Sequence, residues 1–166
     1  MANILFVKDT DVKRWSALSG NVDTDKYIQY MYIAQDIEIH SVLGTKLYEK
    51  LKTDIEADAL SGNYVTLVTD WIAPALIHWA VAHYLPFGSI TIGNSGVFRH
   101  QPENSVSLSS NEIDNLVDEE RKLATYYTKR LDDYLCNNSS LFPEYYTNTK
   151  EDIYPSSNDN FASWVL

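Results

Sequence analysis

Four histidines, one cysteine and 23 carboxylates are what this chain offers for chemistry. His78 and His83 are five residues apart in one apolar stretch, so on a helix they leave on different sides, and no H-E-x-x-H pattern surrounds them. No Glu-x-x-His pair occurs, which removes a carboxylate-bridged di-iron bundle. Asp36 and His40, four apart, share a helix face and read as an ion pair within the helix. Cys136 has no second cysteine to bridge to, and "DYLCNN" sets it at a helix C-terminus, where the dipole disfavours a thiolate; its expected role is packing. "GNSG" lacks the lysine and the following helix of a phosphate loop, and "DEERK" at 118–122 reads as a solvated helix face. No nucleophile–base–acid constellation stands out, so the chain is expected not to be an enzyme and to need no cofactor or metal.

The elements that would position any site are helical. "NVDTDKYIQYMYIAQDIEIHSVLG" opens with Asp23 or Thr24 as N-cap and carries Tyr27, Met31, Ala34 and Ile37 at helical spacing, with Tyr30 and Ile33 widening the stripe. Gly44 is expected to end this helix in the left-handed conformation, and Thr45 to cap the next, "TKLYEKLKTDIEADAL", which buries Leu47, Leu51 and Ile55. The two residues thus form a helix–helix corner without a linker. A third helix spans about 64–85 and is apolar on nearly every side, which makes it the central one; Pro74 either kinks it or sits in the first turn of a restart. Its most apolar part, 71–85, falls short of a membrane span of about 20 residues.

Beyond "LPFG" the period changes. Ile90 and Ile92 alternate with polar residues, "GNSG" supplies a turn and "VFRH" returns, a short hairpin at about 89–100. Ser109 and Glu112 make a capping box for a long helix over 111–137, with Ile113, Leu116, Val117, Leu123, Ala124, Tyr127, Leu131, Tyr134 and Leu135 on its stripe and Glu120 interrupting it. The fold class read from this order is mainly α: a compact bundle of about four helices with a short β-hairpin and an extended C-terminal arm. Residues 1–22 form an N-terminal segment, 23–137 the helical domain and 138–166 the arm. The arm is polar and proline-punctuated yet rich in aromatics, with Phe142, Tyr145, Tyr146, Tyr154, Phe161 and Trp164. It either wraps another surface or straps across its own domain.

Composition bounds the partners. The chain carries a formal charge of −10, and no segment of it is basic, so the footprint of a conventional nucleic-acid binder is missing. A lone cysteine gives no sign of an oxidising compartment. Twelve tyrosines and four tryptophans, several outside the helical stripes, suit protein contact, because these side chains combine apolar area with a polar tip.

The order of elements, with "LGTKLYEKL" at 43–51, "GVF" in the hairpin and "YLCNNSSLFPEY" at 134–145, resembles the head–tail connector proteins of tailed bacteriophages. The likeness is greatest to those of phages and prophages of Bacteroidota, including the crAss-like group, and covers roughly 20–146. It implies a homo-oligomeric ring, typically twelve-fold, stacked between the portal protein and the tail in the virion and put together in the host cytoplasm. The ring would extend the channel for double-stranded DNA without sequence-specific binding and without a membrane. Gly44 and Thr45 would set the angle between wall helices. Ile90, Ile92, Val97, Phe98 and Arg99 of the hairpin, and Phe142, Tyr145, Tyr146, Tyr154, Phe161 and Trp164 of the arm, would meet neighbouring subunits, portal or tail. The competing expectation is a cytoplasmic regulatory module that binds a partner in a groove between the 27–43 and 111–137 helices.

Overall fold

The computed structural model describes residues 4–18, 22–88, 90–93, 96–99, 108–147 and 152–156. It is mainly helical. A short α1 (Asp9–Trp15) precedes α2 (Thr24–Ala34), which passes through a π-helical turn (Gln35–Ile39) into α3 (His40–Glu56). Then α4 (Asn63–Thr66), a second π turn (Leu67–Ile72) and α5 (Ala73–Tyr84) form one run. Strands β1 (Ile90–Gly93) and β2 (Gly96–Arg99) pair antiparallel, Ile90 opposite Arg99 and Ile92 opposite Val97. The long α6 (Ser110–Asn137) and the one-turn α7 (Pro143–Tyr146) complete the order.

Local chemistry sets the boundaries. Asp23 is the N-cap of α2, its carboxylate accepting from the Asp25 amide, while the Thr24 hydroxyl turns instead to Asp9. Ser109 and Glu112 cap α6 reciprocally, satisfying amides a helix start leaves orphaned. Pro74 sits in the first turn of α5, and the π turn before it accommodates the missing amide: the Ala73 N–H reaches back to the Val68 carbonyl. The run Asn63–Tyr84 is, at 22 residues, long and apolar enough to cross a membrane, longer than the 71–85 stretch suggests. Here it packs into the core, with Leu67, Ile72, Ala75 and Leu76 fully buried.

α5 is the centre of the packing, with α2 on one side and α6 on another, and α2 and α6 each pack on α5 rather than on one another. The core also takes in Phe6, Val7 and Val12 of the N-terminal segment and Phe142 and Tyr145 near the other end. The helical domain therefore does not stop at residue 137, and the segment before residue 23 is part of it.

The first π turn corrects the α2 stripe. One extra residue in the turn rotates everything after it, so Ile39 and Gln35 face the core and Ile37, expected inside, is 57% exposed. Gln35 is a buried polar group whose capacity is used: its carbonyl accepts from the Phe6 amide at 2.8 Å, and its amide donates to the Ile4 carbonyl at 2.8 Å and to the Tyr48 hydroxyl at 3.1 Å. It ties the N-terminal segment to the corner below it.

Candidate functional site

Gly44 lies at φ 72°, ψ 156°, a non-helical joint that divides His40–Glu56 into two helices meeting at a kink, the corner expected there. The positive φ matches the expectation, but the conformation is the extended, glycine-only mirror region rather than the left-handed helical cap. A regular helix would have the Thr45 N–H donate to the Ser41 carbonyl. Here the bend parts them, and residues 152–156 lie in the gap. The Thr45 N–H donates to the Ile153 carbonyl at 3.0 Å and the Ser156 N–H to the Ser41 carbonyl at 2.9 Å. The Thr45 hydroxyl accepts from the Ile153 N–H at 2.9 Å and meets His40 Nε2 at 3.0 Å, so it serves this strap and not a helix N-cap. A Cβ on Gly44 would stand 2.7 Å from the Pro155 ring. Of the two readings of the C-terminal segment, the strap holds for residues 152–156.

What keeps the corner bent is burial. Leu47, Tyr48 and Leu51, just past Gly44, are in the core, and straightening the helix would pull them out. At about 1.5–3 kcal/mol per apolar side chain, that outweighs the roughly 1 kcal/mol net of a recovered helical hydrogen bond.

Among the described residues two apolar stripes are exposed, on elements that each pack on α5. One runs from Ile33 of α2 to Ile37 in the π turn that follows it and is continued by Phe87, stacked on Tyr30 at 5.6 Å. The other, on α6, comprises Leu116, Leu123 and Tyr126; the two leucines were expected on the inner stripe, which Val117, Ala124, Leu131 and Leu135 fill instead. Neither stripe was distinguishable in the sequence from core.

The expected contact residues separate into groups. Phe142 and Tyr145 are buried in their own domain and are core, a correction to their reading as interface, because α7 turns them back onto α3 and α6. Tyr146 and Tyr154 are exposed. Ile90 is half-buried; Ile92, Val97, Phe98 and Arg99 hold their places in the ribbon backbone, with side chains outside what the structure describes. Phe161 and Trp164 lie outside the described residues.

The three described histidines, His40, His78 and His83, each lie near a carboxylate. His78 Nδ1 meets Glu120 at 2.7 Å, so the residue that interrupts the α6 stripe pairs across to α5. His83 faces the other way, 3.6 Å from Glu38, and its buried Nε2 has no hydrogen-bond partner. Asp36 and His40 are 3.7 Å apart. Among the described residues no three histidine, cysteine or acidic side chains gather as a metal site would need. A cleft of about 510 Å³ between Phe6, Trp15, Val68, Pro74, Ile77 and Tyr127 has Asp11, Thr69 and His78 at its lining. Cys136, expected to be a packing residue, is exposed as a residue; partial desolvation of its thiol and then the Asp132 carboxylate push the thiol up, away from a reactive thiolate.

Burial first, and then a carboxylate acceptor, raises two phenols well above the ordinary tyrosine value. Tyr145 donates to Asp132 at 3.1 Å, and Tyr64 donates to Glu144 at 2.7 Å. The unfolded chain releases these protons first, near pH ~10, so the stability they hold is complete below that pH and lost as pH rises above it. An absorbance titration at 295 nm is expected to show tyrosines that ionise only together with loss of the helical circular-dichroism signal. Ionisation of every tyrosine before unfolding would contradict this.

Residues 39–154 match the model of DUF6712, described as a family of unknown function. No curated protein and no solved structure matches the chain.

Proposed function

Since the chain belongs to the DUF6712 family, whose function is unknown, its own geometry has to supply the reading, and from it we propose a structural subunit of a head–tail connector ring in a tailed phage. The observation that carries this is the pair of unlike apolar stripes on separate flanks, Ile33 and Ile37 on one and Leu116, Leu123 and Tyr126 on the other. A head-to-tail contact needs two different complementary patches per subunit, and repeated around an axis it closes a ring. In this reading the ribbon is the element that meets the portal on one side or the tail on the other. A net charge of −10 suits a channel wall that DNA passes without adhering. The subunit performs no chemistry, works in the virion after assembly in the bacterial cytoplasm, and stacks about twelve copies to a ring.

The regulatory-module reading is less well supported. Its groove needs the 27–43 and 111–137 helices to line one cleft, whereas the clefts of about 510 and 340 Å³ are each lined by only one of those two segments.

A complementation experiment tests the ring contact. Ile37→Lys breaks one flank and Leu123→Glu the other, both at exposed positions that leave the fold intact. Each variant alone is expected to sediment as a monomer, while their mixture forms a dimer through the two flanks left whole, and only the wild-type chain builds a second ring on the portal of the same genome in negative-stain images. A mixture that stays monomeric, or a single variant that still forms rings, sinks the two-flank reading.

A further inference from the structure

The corner is a slot with its own recognition chemistry. Three hydrogen bonds to its main chain hold the strap there: Thr45 N–H to the Ile153 carbonyl, Ile153 N–H to the Thr45 hydroxyl, and Ser156 N–H to the Ser41 carbonyl. Between them Pro155 fits against Gly44, in a space that exists only because Gly44 has no side chain. Such a site selects an extended backbone with proline at one position and asks little of the other side chains, the way a strand is added to an open edge. The strap's side chains agree: Asp152, Tyr154 and Ser156 are exposed, and Ile153 and Pro155 only half-buried. Little apolar area holds the segment down, which places it at the low-stability end of the molecule.

The slot does not depend on its occupant for shape. The bend that creates it is fixed by Leu47, Tyr48 and Leu51 in the core, so departure of the strap leaves a donor on Thr45 and an acceptor on Ser41 held apart and unpartnered.

We infer that the Gly44 slot is an exchangeable receptor for an extended segment of the type Ile-x-Pro-Ser, filled within the chain by residues 152–156 and, between chains, by the same segment of a second copy. The fit of that occupant is already demonstrated by the intramolecular contact, and exchange of an identical element needs no new surface. The inference rests on the corner alone and stands whether or not the chain forms portal-bound rings.

Two full-length variants test it, both in the Leu123→Glu background so that flank contacts do not contribute. Ile153→Pro with Ser156→Pro removes both strap donors but leaves the slot open; Gly44→Ala closes the slot but leaves the strap intact. Each alone is expected to be monomeric with a normal helical spectrum, and an equimolar mixture to form dimers in sedimentation. In parallel, a fluorescent peptide of residues 151–157 is expected to bind the strap-deficient chain at least tenfold more tightly than the wild-type chain, whose tethered strap competes at an effective concentration in the millimolar range. Adding Gly44→Ala abolishes that binding. A folded strap-deficient chain that ignores the peptide shows that the slot closes when emptied, and overturns the inference. So does a strap-deficient chain that loses its helical signal, because the strap is then part of the cooperative fold and not exchangeable.

Discussion

Gly44→Val is expected to lower the unfolding free energy by about 3–5 kcal/mol. Two costs combine. At φ 72°, ψ 156° a residue with a Cβ is strained, and a β-branched one most of all. The added carbon would also stand 2.7 Å from Cδ and Cγ of Pro155, and the proline ring is stiff. The two contributions separate in a double-mutant cycle: Pro155→Gly removes the clash partner and not the strain, so it should recover part of the loss from Gly44→Ala and leave the backbone part standing. Urea unfolding followed by circular dichroism gives the four free energies. A Gly44→Val chain as stable as wild type would mean that the corner is helical at Gly44 and the strap lies elsewhere.

The corner shows how far a sequence can be read and where it goes quiet. "VLGTKL" announces a break, because glycine inside an otherwise good helix has few other uses, and the positive φ followed from that. What the break is for could not be read locally: the strap that pairs with Thr45 is 108 residues away at Ile153, and nothing in "EDIYPSS" marks an extended segment for one slot. Periodicity failed in a different way at Ile37. A 3.6-residue repeat fitted through Gln35–Ile39 keeps Ile37 inside, whereas a π turn moves it out, and the only hint was a glutamine where the shifted stripe needed a core residue. The α6 stripe was too generous for a related reason. Leu116 and Leu123 sit one position from Val117 and Ala124, and apolar character alone does not say which of two adjacent faces a neighbour covers. That ambiguity is informative here, since the face left over is the one proposed to meet another subunit.

Phe142→Ala is expected to cost about 3–5 kcal/mol, the usual range for emptying a buried phenylalanine site, out of a total stability on the order of 5–15 kcal/mol. Phe142 has no exposed surface and lies edge-on to Tyr64 at 5.4 Å and tilted against Tyr134 at 5.9 Å, so it joins the run containing α5 to the end of α6. Around it Tyr64 donates to Glu144 and Tyr145 to Asp132. Loss of the ring therefore loosens α7, which carries both Glu144 and Tyr145, and with it the contact between α7 and α3. The expected signature is a large drop in the urea midpoint of the isolated chain. An interface residue behaves oppositely: its removal leaves the midpoint in place and abolishes assembly. Tyr154→Ala supplies that contrast, because its exposed ring should change stability by no more than about 0.5 kcal/mol. If Phe142→Ala leaves the midpoint unmoved, α7 is not packed as described and the aromatic segment belongs to another chain's surface after all.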